Sequence, residues 1–156
     1  MTVIEFPVRR INVVTGIAII ALPAVALGVK FIIAGWLMLF LLYGGILLAA
    51  AYIFLAVMAA SGLFGRRAAF SFVDARRARV AGLAHGALLV AAMFFLTDGG
   101  DSTWTSPFIQ LFGLDLESWV DASDAIASAA LLLAVACYLW FFVEWVIAVR
   151  VKRRLV

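Results

Sequence analysis

Charge along this chain is sorted into blocks of one sign, and long apolar runs separate the blocks. Of the 12 Lys and Arg, eleven fall in three clusters, at residues 9–10, 66–79 and 150–154. Six of the 9 acidic residues lie instead within residues 98–124, which hold no Lys or Arg. Segments that cross a bilayer keep their basic flanks on the cytoplasmic side. All three basic clusters satisfy that rule under one up-down-up-down threading, with both termini and the 65–79 loop inside and the acidic loop outside. The expected fold is therefore an all-α integral membrane bundle of four transmembrane helices.

Composition excludes the ordinary soluble classes. A hydrophobic fraction of 67%, a mean hydropathy of +1.18 and 13% charged residues belong to a chain immersed in lipid. At 156 residues the chain forms one domain, 1–156, with no room for a separate soluble catalytic domain. The net charge of +3 comes from residues that insertion itself requires, so the expected partner is the lipid bilayer and not nucleic acid. The one cysteine, Cys137, sits in an apolar run and reads as a structural thiol with no metal-ligand spacing around it.

About 20 apolar residues cross the hydrocarbon. The spans are placed at about 11–29, 35–64, 78–96 and 125–149, with Pro23 as a kink in the first and a turn near residues 31–35 before the second. A competing reading takes the N-terminus as a signal peptide, with Arg9 and Arg10, an apolar run, and Ala24-Val25-Ala26 as a cleavage site. Glu5 and Pro7 are unusual in such a segment, so the retained helix is preferred.

Two loops carry local signals. GRRAAFSFVDARRAR, at residues 65–79, reads as a solvated basic linker; the alternative is a short amphipathic helix dipping Phe70, Phe72 and Val73 into the interface. In the acidic loop, SPFIQLFGL at 106–114 begins like a helix, with Ser106 as cap, Pro107 at the first helical position, and an apolar face of Phe108, Leu111 and Phe112. With Trp104 and Trp119 beside it, this segment is expected to lie on the outer membrane surface, and Trp104, Phe108, Phe112 and Trp119 are the candidate interaction surface.

Lipid gives helices no hydrophobic drive to associate, so contact faces favour small residues. Ala78, Gly82 and Gly86 form such a stripe in the third span, and Gly82 and Gly86 are the candidate packing positions. Gly44, Gly45 and residues 49–51 in the second span, with Ala125, Ala129, Ala130 and Ala134 in the fourth, are the expected counterparts.

Titratable groups inside spans are costly and are functional candidates by default. His85 lies six residues beyond Arg79, and Glu144 six before Arg150, so each sits about 9 Å inward of its basic cluster. A His85–Glu144 hydrogen bond is possible if their faces meet. It would act as interhelical glue of about 0.6–2 kcal/mol, or as a proton or cation site. Alternatively Glu144 snorkels to the interface beside Trp140 and Trp145. Lys30 reads as an interfacial lysine on the outer side; it could pair with the acidic loop, but a snorkelling lysine needs no such partner, and the tyrosines read as packed aromatics with satisfied hydroxyls. No nucleophile elbow, phosphate-cradling loop, paired metal ligands or catalytic carboxylate pair is present in the sequence, so neither an enzymatic activity nor a cofactor is expected.

The run Gly65-Arg66-Arg67-Ala68-Ala69-Phe70-Ser71-Phe72-Val73-Asp74-Ala75-Arg76-Arg77 resembles a loop in a family of uncharacterised bacterial four-helix inner-membrane proteins. That resemblance implies a bacterial inner-membrane location and carries over no activity. The functional expectation is a non-enzymatic accessory or scaffold protein, acting as an oligomer or within a larger membrane complex. The alternative is a small oligomeric channel or proton-coupled transporter using Glu144 and His85.

Overall fold

The computed structural model describes residues 8–32, 35–36, 39, 43–65, 67–99, 104–114 and 116–155. In chain order these form α1 (Val8–Lys30), α2 (Gly45–Leu63), a short 3-10 turn (Ala69–Ser71), α3 (Arg76–Phe95), a two-stranded antiparallel hairpin of β1 (Asp98–Gly99) and β2 (Trp104–Thr105), α4 (Pro107–Phe112) and α5 (Leu116–Leu155). Four of the helices are long and apolar enough to cross a membrane. The protein is an all-α bundle of membrane-length helices. Residues 37–38 and 40–42 of the expected second span, and 33–34 of the expected turn before it, lie outside the described residues.

α1 and α3 begin and end near the expected first and third spans; α2 ends near the expected residue 64 but starts at Gly45, ten residues after the expected start. The fourth departs, because α5 runs for 40 residues, about 60 Å, and not only over 125–149. Hydropathy registers only its apolar middle. Its last turn carries Lys152, Arg153 and Arg154, where cations complement the partial negative charge of a helix C-terminus. Its first turns turn Ser123 and Ala127 inward and leave Asp121 exposed, which continues the helix as an amphipathic element. The chain passes through Pro23 within a single α1.

The centre of the bundle is α3, packed between α1 and α5. Its buried face is Ala78, Ala81, Gly82, His85, Gly86 and Ala92, so small side chains let both neighbours approach. A methyl group added at Gly86 would lie 2.5 Å from the Leu22 Cβ, and one at Gly82 would strike Ile19. The expected stripe in α2 behaves differently. Residues 49–51 are exposed, nothing lies within 4 Å of the space beside Gly45, and α2 buries only Leu55, Met58, Ala59, Gly62 and Leu63, at its other end. In α5, Ala130 and Ala134 are buried but Ala125 and Ala129 are exposed.

The basic loop folds into the bundle and is neither a solvated linker nor an interfacial helix. Ala68, Ala69 and Phe70 are buried, with Phe70 lying over Gly62 and 6.1 Å from the Phe141 ring. Lys152 Nζ then holds the loop by donating to the Arg67 carbonyl at 2.6 Å.

Candidate functional site

At the acidic end of the bundle, polar groups form a closed set. Lys30, at the last turn of α1, has no exposed surface, and its Nζ lies 3.4 Å from Asp98 Oδ2 while donating to the Leu96 carbonyl at 3.1 Å. Asp98 is 1% exposed and accepts the Gly35 and Gly99 N–H groups at 3.1 and 2.9 Å. Gly35 comes so close that a Cβ there would lie 2.5 Å from Asp98 Oδ1. Lys30 is thus a buried ion-pair partner, in place of the interfacial lysine its position suggests.

The same end binds the hairpin and α4 to α3 and α5. Asp124 Oδ1 accepts the Thr97 N–H at 3.0 Å and the Thr97 hydroxyl at 2.6 Å. Ser123 donates to the Phe95 carbonyl, and its hydroxyl lies 3.0 Å from that of Ser106. Ser106 caps α4 by accepting the Ile109 N–H at 3.2 Å, Pro107 follows at the first position, and Gly113 ends the helix at φ 61°. Ser106 and Pro107 stand where the sequence implies. The buried anchors are Pro107 and Ile109.

Phe108 is half-buried at the centre of an aromatic group, 4.7 Å from Phe95, 5.3 Å from Phe112 and 6.1 Å from Trp119. Outside it stand Leu111, Phe112 and Trp104, 70%, 62% and 60% exposed, with Trp119 also exposed. Of the candidate surface residues, Phe112 and Trp119 thus gather around Phe108, which supports them, while Trp104 is exposed on β2.

His85 and Glu144 are not brought together. His85 Nδ1 lies 2.9 Å from the Ala134 carbonyl, and its ring meets Tyr138 edge-on at 5.3 Å. Glu144 accepts the Trp140 indole N–H at 3.1 Å, one turn away on an exposed face of α5. Ten residues, about 15 Å of helix, separate Ala134 from Glu144. Packing of Phe141 beside Gly82 sets this register, and the level of the basic clusters does not. The hydroxyls of Tyr52 and Tyr138 donate to the Ile20 and Ala51 carbonyls at 3.0 and 3.3 Å. At the basic end, Arg79 donates to buried Asn12 at 3.0 Å, a pairing no local motif announces. No group of three or more His, Cys, Asp or Glu suited to a metal ion occurs among the described residues.

No family model, curated protein or solved structure matches this chain. Its function is therefore argued from its own geometry.

Proposed function

We propose that this multi-pass membrane protein is a non-enzymatic accessory or scaffold subunit that acts by binding other membrane proteins. It would sit in a bacterial inner membrane with both termini inside and the acidic end outside. The observation that carries the reading is the aromatic face on α4. Its backbone is capped at both ends, its base is tied through Ser106 and Ser123, and it still leaves Leu111 and Phe112 exposed, with Trp104 exposed on β2 just before it in the chain. Rigid, exposed aromatic groups are what a binding surface needs, because they offer contact area at little cost in side-chain entropy.

The polar groups support the same reading, since Lys30, Asp98, Asp124 and Arg79 each engage an internal partner. A channel or proton-coupled transporter would need His85 and Glu144 along one path, and their separate hydrogen bonds lend that alternative nothing.

The test is a photo-crosslinking amino acid at Leu111 in native membranes. A discrete protein adduct, lost on Trp104→Ala with Phe112→Ala, is the expected result. Adducts to lipid alone, with only monomer on purification, would remove the proposal and make this face a headgroup anchor.

A further inference from the structure

A cavity of about 380 Å³ lies among α1, α2, α3 and α5. It opens where α2, whose buried residues all lie from Leu55 to Leu63, packs on α1 and α5 without closing against α3. The volume falls within the roughly 300–1,000 Å³ of small-molecule sites. Leu27, Leu48 and Val135 on its wall remain exposed on the lipid-facing surface, so entry is from the side. Among the described residues no Asp, Glu, Lys or Arg lines it.

The lining includes one unspent polar atom. Both tyrosine hydroxyls on the wall donate to backbone carbonyls. His85 is 8% exposed and lies midway along α3. A carbonyl oxygen only accepts, so the 2.9 Å contact with Ala134 puts the ring proton on Nδ1 and leaves the lone pair on Nε2. Among the described residues nothing donates to Nε2. An acceptor without a donor is costly in hydrocarbon, where water does not supply one.

The geometry points to a binding site in this cavity for a neutral lipophile carrying one hydroxyl or phenolic donor. Its O–H donates to His85 Nε2, and its hydrocarbon part fills the space between Leu48, Leu89 and Val135. A plain acyl chain has no donor for Nε2. A charged ligand would find no countercharge. A neighbouring helix, about 10–12 Å across, is too thick for the space.

The protein's single histidine makes the test direct, because isotope-labelled histidine reports this site alone. The full chain in phosphatidylcholine nanodiscs would be titrated with thymol, a lipophilic phenol, and with thymol methyl ether, which lacks the donor. Thymol should move the Nε2 NMR resonance saturably and leave Nδ1 nearly fixed. The ether should bind about fivefold more weakly, the factor one neutral hydrogen bond supplies, without moving Nε2. Ala51→Phe, which fills the cavity and leaves the imidazole intact, should abolish the response; Leu48→Trp at the rim is the second variant if the first does not fold. An Nε2 resonance unmoved by thymol, or moved equally by the ether, would overturn the assignment. So would a response that survives a folded cavity-filling variant, or an Nε2 shift that follows protein density without thymol and so reveals a donor from a second copy.

Discussion

An ammonium group with no exposed surface and a carboxylate with almost none hold one another in place at Lys30 and Asp98. Removing one partner leaves the other charge buried and uncompensated, which costs about 3–5 kcal/mol. Lys30→Met should therefore destabilise the bundle by about that amount, measured by reversible unfolding in a bilayer mimetic. Adding Asp98→Asn should recover part of the loss, since the amide oxygen still accepts a backbone N–H and no charge is stranded. A single substitution costing less than about 1 kcal/mol would show that the pair is solvated and worth only what surface pairs are. His85 lies at the opposite extreme, a polar residue whose second nitrogen has no partner among the described residues.

Among elements, the α1–α3 contact is set by glycines. Gly86→Ala should cost about 1–3 kcal/mol, because the new methyl group meets Leu22 at 2.5 Å and overpacks the contact. Leu22→Ala in the same chain should return part of it, and the coupling in a double-mutant cycle is the measurement. Ser106→Ala should cost about 0.5–2 kcal/mol by removing the α4 cap, read as faster hydrogen exchange at Ile109 with α3 amides unchanged. These two elements were legible in the sequence, since a small-residue stripe and a Ser-Pro helix start are local patterns. Pairing of Lys30 with the acidic loop stood as an alternative, but Asp98 as the partner and the Asn12–Arg79 pair were not legible, because the residues lie 68 and 67 positions apart and only packing sets them side by side. The His85–Glu144 estimate failed for a related reason. Equal depth was measured from Arg79 and Arg150, yet His85 faces Tyr138, six residues and about 9 Å from Glu144 along α5. Charge clusters fix which side of a membrane an end belongs to, while side-chain packing fixes the register between helices.

For the whole molecule, the two ends of the bundle differ in how they are held. The basic end is closed by Phe70 and by the Trp145 indole donating to Ser61 at 2.9 Å. The acidic end is closed by buried ionic and hydroxyl contacts, and these are compatible with water on that side only if the hairpin and α4 cover them. The proposed orientation rests on the cost of moving charge. Reversal would carry the three basic clusters across the bilayer and leave the acidic loop on the side where anionic lipids repel it. Cys137, half-buried within α5, is the single native cysteine, so Cys137→Ala leaves a background without thiols. In that background Leu111→Cys, on an exposed face of α4, should react with an impermeant maleimide in intact cells. Arg153→Cys, exposed in the last turn of α5, should react only after permeabilisation. The opposite pattern would place the aromatic face in the cytoplasm, and its partners would then have to be sought there. Labelling of both positions in intact cells would mean two populations of opposite orientation, which eleven clustered basic residues on one side argue against.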